Sequence, residues 1–175
     1  MSDQFDDIFG EPALLQGEDK DRYLRLYAMI EADKQPKDFF DRIQVREEAD
    51  KIWEELRIRR CSAALIDSTH IQALAELLEP LSKRHVFLKH STEVAFEYYG
   101  TDPKARQKVA AMMAQYGITE TMIHAKAMQI QGGTLQYLDR MITSREIGRR
   151  NLRKEQEKRA AKGYDGTAAN LKKSA

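Results

Sequence analysis

Residues 44–64 read QVREEADKIWEELRIRRCSAA, and this stretch decides the fold. Ile43, Ala49, Ile52, Trp53 and Leu56 recur at three- and four-residue spacing, which puts them on one helical face. The pattern predicts a helix over about 37–66, with Ala63 and Ala64 continuing the stripe. Trp53, the only tryptophan, is the expected centre of the core, with Ile43, Ile52 and Leu56 as its structural neighbours. Glu47, Glu48, Asp50, Glu54 and Glu55 crowd the first half, and Arg57, Arg59 and Arg60 the second. Acids before bases suit the helix dipole, and the spacing allows pairs along the helix such as Glu54–Arg57 and Glu55–Arg59.

Working outward, Tyr23, Leu26, Tyr27 and Ile30 mark a shorter amphipathic helix over about 19–32. Pro36 ends it, since proline lacks the backbone N–H and disfavours helix in the residue before it. Residues 1–18 carry five acids, no base, and the breakers Gly10, Pro12 and Gly17, and are expected to form a flexible tail. Its Phe5, Ile8 and Phe9 lie between acids, a composition that docks into a partner's groove or folds back on the chain's own helices. On the other side, Ser68 or Thr69 is the expected cap of a third helix carrying Ile71, Leu74, Leu77 and Leu78, which Pro80 kinks or ends. Residues 81–99 are basic and histidine-bearing but too apolar for an open loop, and read as helix. Thr101-Asp102-Pro103 is a helix start, and Gly117 its stop. Thr119 caps the next helix, and Gly132-Gly133 interrupts the pattern before a last helix over about 134–161.

That last helix holds the one charge asymmetry. Between Arg140 and Lys162 there are nine bases against three acids, an excess of six. Its apolar stripe (Leu135, Leu138, Ile142) thins toward Leu152, so the helix is expected to leave the body as a charged arm. The expected organisation is an acidic tail at 1–18, a helical domain at 19–143, a basic helical extension at 144–162 and a disordered tail at 163–175. The expected fold is all-α, a helical bundle with a long projecting C-terminal helix and disordered tails.

The bulk numbers fit this. A chain of 175 residues suggests one domain with tails, long enough to bury a core without staples. A charged fraction of 33% and a mean hydropathy of −0.65 suit thin helical layers with much solvated surface. The net charge is only +1. Cys61 stands alone, so no internal disulfide forms. The acidic start lacks the apolar segment of a secretory signal, and no apolar run approaches a membrane span, so the expected location is the cytoplasm.

Catalytic and cofactor patterns are missing. No strand signal supports a nucleotide-binding α/β fold, and Gly132-Gly133 follows no strand. His70, His85, His90 and His124 show no metal-ligand spacing, so no metal is expected. The acid pairs Glu47-Glu48 and Glu54-Glu55 are adjacent and point apart on a helix, unlike an acid–base pair. No catalytic residue and no cofactor are expected.

Two blocks resemble a known pattern. In residues 17–66 it comprises Gly17-Glu18-Asp19, Tyr23, Pro36, and Asp50, Trp53, Glu54, Arg57, Arg59 and Arg60. In residues 138–161 it comprises Leu138, Asp139, Arg140, Met141, Ile142, Glu146, Arg149, Arg150 and Asn151. Together, over less than half of the chain, they resemble a family of uncharacterised helical bacterial proteins common in alphaproteobacteria. The resemblance implies a helical fold and bacterial origin, and brings no catalytic residue, since the family has no established activity. The chain departs from the family's pattern at Cys61-Ser62, where an apolar residue and lysine are usual.

The expected function is that of a small non-enzymatic interaction protein with a protein partner. Arg145, Arg149, Arg150, Arg153 and Lys154 are the candidate interaction residues. The alternative is a nucleic-acid-associated accessory protein in which the same bases track phosphates, binding without sequence preference. No aromatics interleave for stacking on single strands, and no apolar face opposes the bases for a membrane surface.

Overall fold

The structure, a computed structural model, describes residues 10–84 and 89–161. It is all-α: six helices, with no strand among the described residues. They are α1 (Lys20–Lys34), α2 (Phe39–Arg84), α3 (Ser91–Tyr99), α4 (Pro103–Gln115), α5 (Glu120–Ile130) and α6 (Gly132–Ala161). The expected disordered tail at 163–175 and the docking aromatics Phe5, Ile8 and Phe9 lie outside the described residues.

Helix ends follow their capping chemistry. Asp19 caps α1 by accepting from the Arg22 N–H at 3.0 Å. At the other end Gln35 turns left-handed (φ 47°), and Pro36 follows. Asp38 accepts from the Asp41 N–H at 2.8 Å, and Asp41 accepts from the Lys37 N–H at 3.1 Å, closing a reciprocal cap on α2. Asp102 accepts from the Lys104 N–H at 2.9 Å with Pro103 in the first turn of α4. Thr119 accepts from the Met122 N–H to start α5. Gly117 takes φ +70°, and the Ile118 N–H returns to the Met113 carbonyl at 2.9 Å, which closes the end of α4.

The main departure from the sequence reading is α2, a single helix of 46 residues. The expected break at Ser68 or Thr69 is absent because those hydroxyls work backwards. Ser68 and Thr69 both donate to the Leu65 carbonyl, at 2.9 and 2.7 Å, and Ser62 donates to the Ile58 carbonyl at 3.0 Å. A capping hydroxyl accepts from N–H groups ahead of it; here each side chain adds a bond to an unbroken helix. Pro80 also lies inside α2, with one more turn after it.

The chain divides into two compact units, Met1–Arg57 with Met141–Ala175, and Ile58–Arg140. The boundaries fall within α2 and within α6. In the second unit Ala73, Leu74 and Leu78 of α2 bury against Val94 and Ala95 of α3, Val109 and Met113 of α4, and Ile123 and Ala127 of α5. Thr69 is buried there with its hydroxyl shared between the Leu65 carbonyl and the Gln131 amide, the latter at 3.0 Å. The exposed Ala63 and Ala64 do not continue a buried stripe.

The first unit has a small core of Tyr23, Ala49 and Trp53, covered by Leu14, Leu26, Tyr27 and Ile30. Val45 is almost fully buried on the same helix. Of the expected neighbours of Trp53, Ile43, Ile52 and Leu56 are half-buried.

Candidate functional site in the first unit

The first unit is built around Trp53, which is 3% exposed. Its ring meets Tyr23 edge-on, with centroids 5.6 Å apart. The polar tips of both rings find carboxylates: the indole N–H donates to Glu18 at 3.1 Å, and the Tyr23 hydroxyl donates to Asp50 at 2.6 Å. Arg57 clamps Glu18 with two bonds, at 2.6 and 3.0 Å, and donates to the Ala13 carbonyl at 3.1 Å. Residues 13–18, expected within the flexible tail, are therefore tied to α2. Gly17 permits this, because its φ of +84° turns the chain just before Glu18. Two hydrogen-bonded groups, Trp53–Glu18–Arg57 and Tyr23–Asp50, are thus joined into one cluster by the contact of the Tyr23 and Trp53 rings.

The electrostatics fit a structural knot. The Arg57 bonds hold the Glu18 carboxyl at about 2, well below its ordinary 4.5, helped by the Leu15 N–H and the indole and opposed by burial. Burial pushes the Tyr23 phenol upward, and the bond to Asp50 adds to this. Because the folded-state value of Glu18 is depressed, its contribution to stability is complete above pH 4.5 and is lost as pH falls toward 2. Glu18→Gln is expected to remove this component. Its urea midpoint should fall less than the wild type's between about pH 5.5 and about pH 3. Equal falls would mean that Glu18 is not perturbed by Arg57.

Beside the knot, α2 and α6 run antiparallel and exchange charge. Arg145 meets Glu54 at 2.5 Å, Arg149 meets Glu55 at 2.6 Å, and Arg153 meets Glu48 at 3.3 Å. Arg159 bridges Asp38 and Asp41 at 3.0 and 3.4 Å and lies over the Phe40 ring. Glu48 and Glu55 are the significant members, being only 3% and 6% exposed. They are seven residues apart, two helical turns, and so share a face beside Ala49 and Ile52. A buried carboxylate costs several kcal/mol unless it is paired, and α6 supplies the arginines. Gly148 lets the aliphatic part of Lys51 lie against α6, 3.3 Å from where a Cβ would stand.

The five candidate interaction residues therefore separate. Arg145, Arg149 and Arg153 are engaged with acids of α2. Arg150 and Lys154 are exposed and form no ion pair among the described residues. The partners of Arg153 and Arg159 lie on and just before α2.

A groove of about 740 Å³ opens where α1, α2 and α6 meet. Leu26, Met29, Ile30 and Ile52 give it an apolar floor and lip; Asp33, Lys34, Glu48, Arg153 and Glu157 give it charge. Met29 at its edge is 72% exposed. Lys34 pairs with Glu48, 3.4 Å from its Oε2 atom, and also donates a hydrogen bond to Gln156 at 3.0 Å. Sequence periodicity places Met29 and Ile30 on α1 but cannot show that α6 comes alongside, so the groove was not foreseen.

In the second unit, the His70 and His124 rings stack at 4.7 Å, with Tyr99 6.1 Å from His70. Burial pushes the Tyr99 hydroxyl up to about 12. Among the described residues, no group of three or more His, Cys, Asp or Glu side chains is gathered to hold a metal ion, and no helix is long and apolar enough to cross a membrane. No protein-family model, curated protein or solved structure gave a significant match to the chain.

Proposed function

We propose that this chain is a small non-enzymatic interaction protein that docks a segment of a partner protein in the groove between α1, α2 and α6. The observation that carries the reading is Met29, 72% exposed at the edge of an otherwise half-buried aliphatic floor. A long flexible apolar side chain beside a preformed groove is suited to covering a partner's apolar residue. The reading extends to a bacterial, cytoplasmic protein, as the sequence resemblance and composition suggest. It moves the interaction surface from the bases of α6 to the groove, with Arg153 and its neighbours on α6 forming one wall.

Site-specific photocrosslinking tests this. A photoreactive phenylalanine analogue at Met29 is expected to give a discrete protein adduct in cells, whereas the same analogue at the exposed Tyr137 does not. Adduct formation should then be lost when Ile30 is changed to Glu, with the urea midpoint checked in parallel. Equal or absent labelling from the two positions would overturn the docking site.

The nucleic-acid reading keeps Arg150 and Lys154, four residues apart and exposed. Two such bases provide few phosphate contacts once Arg145, Arg149, Arg153 and Arg159 are engaged with acids.

A further inference from the structure

We infer that the groove selects a cationic partner segment, one that presents an arginine or lysine beside an aliphatic side chain. This rests on the groove being the docking surface and adds the chemistry of the occupant. The charge along the walls is asymmetric in use as well as in number. Both of its bases, Lys34 and Arg153, are directed at one buried acid, Glu48. Its other acids, Asp33 and Glu157, are exposed and form no ion pair among the described residues. The uncompensated charge at the groove is therefore negative.

Glu48 takes up both bases of the groove. It is 3% exposed, and its Oε2 atom accepts no hydrogen bond. Lys34, 3.4 Å from that atom, and Arg153, 3.3 Å from the other oxygen, hold its charge, and Lys34 also donates to Gln156. With both bases held on this buried carboxylate, the exposed acids of the groove are left to receive an incoming guanidinium or ammonium group. The same group faces Asp33 and Glu157, while Leu26, Ile30, Ile52 and Met29 cover the aliphatic portion of the segment. An anionic segment would meet two exposed acids and would have to draw Lys34 or Arg153 away from Glu48.

The probes are N-acetyl-leucyl-arginine amide and N-acetyl-leucyl-glutamate amide, titrated into the full-length protein carrying ¹³C-methyl methionine. The Met29 signal is assigned through Met29→Leu. The arginine probe should shift that signal saturably and bind about tenfold more tightly than the glutamate probe. The double variant Asp33→Asn/Glu157→Gln, which alters only exposed side chains, should weaken the arginine probe about three- to tenfold with an unchanged urea midpoint. Glu48→Gln should weaken it as well, its folding checked in the same way. Equal or tighter binding of the glutamate probe would overturn the inference. So would a silent Met29 signal, or an arginine affinity indifferent to Asp33 and Glu157. A neutral or acidic segment crosslinked to Met29 would overturn the cation preference and leave the docking site standing. Failure of the Met29 crosslink itself would remove the docking site.

Discussion

Trp53→Ala is expected to destabilise the first unit by about 3–5 kcal/mol, the largest effect of any single substitution considered. The indole is 3% exposed, so truncation removes nearly all of its buried area and leaves a cavity between α1 and α2. It also removes the edge-on contact with Tyr23 and one of the donors to Glu18. Glu18 would keep Arg57, so no buried charge is stranded, and the cost is chiefly packing. Trp53→Phe separates the terms: it retains an aromatic ring against Tyr23 but no N–H, and should cost about 1–2 kcal/mol. Because Trp53 is the only tryptophan, unfolding is followed by far-ultraviolet circular dichroism in urea instead of fluorescence. A loss below about 1 kcal/mol for the alanine variant would mean that this residue does not organise the unit.

Arg149→Ala is the second large effect, with an expected loss of about 3 kcal/mol. Its partner Glu55 has a side chain only 8% exposed, and the two meet at 2.6 Å. Removing the arginine strips this bond from a carboxylate that water cannot readily reach. The loss is placed at the lower end for a one-sided break because Arg149 itself is 22% exposed. Restoring apolar packing should recover most of it: Arg149→Met with Glu55→Leu is expected to lie within about 1 kcal/mol of the wild type. Arg150→Ala, one position along but exposed, should cost under about 0.5 kcal/mol. Urea midpoints of the four proteins settle the comparison. Arg149→Ala and Arg150→Ala variants of equal stability would contradict an inward-facing role for Arg149.

These two cases also show what the sequence made legible. Trp53 was readable as a core residue because it lies within an aliphatic helical stripe, and a large aromatic there has few other uses. The α4 start at Asp102-Pro103, its Gly117 stop and the Thr119 cap were readable because they are local chemistry. Glu48 and Glu55 were read only as part of the acidic half of their helix, with Glu55 spaced to pair with Arg59, and their burial was not foreseen. Their seven-residue separation places them on a buried face, but a carboxylate at such a position identifies itself only once its arginine is known. That arginine comes from α6, about a hundred residues later, and nothing local signals it. The continuity of α2 through Ser68 and Thr69 failed for a related reason. A hydroxyl before an apolar run serves equally as a cap or as a donor to the preceding turn, and the packing of the second unit decides which. The groove was invisible because it exists only where three separated segments meet.

The most direct test of the central claim, that the bases of α6 serve the fold by neutralising the acids of α2, is binding of the full-length protein to random-sequence duplex DNA at about 50 and about 200 mM salt. If Arg145, Arg149, Arg153 and Arg159 are held on carboxylates, affinity should be weak and the slope of log affinity against log salt no steeper than about −2, as expected for Arg150 and Lys154 alone. Submicromolar binding with a slope of about −4 or steeper would contradict the claim, because it would require those arginines to leave their acids for phosphates.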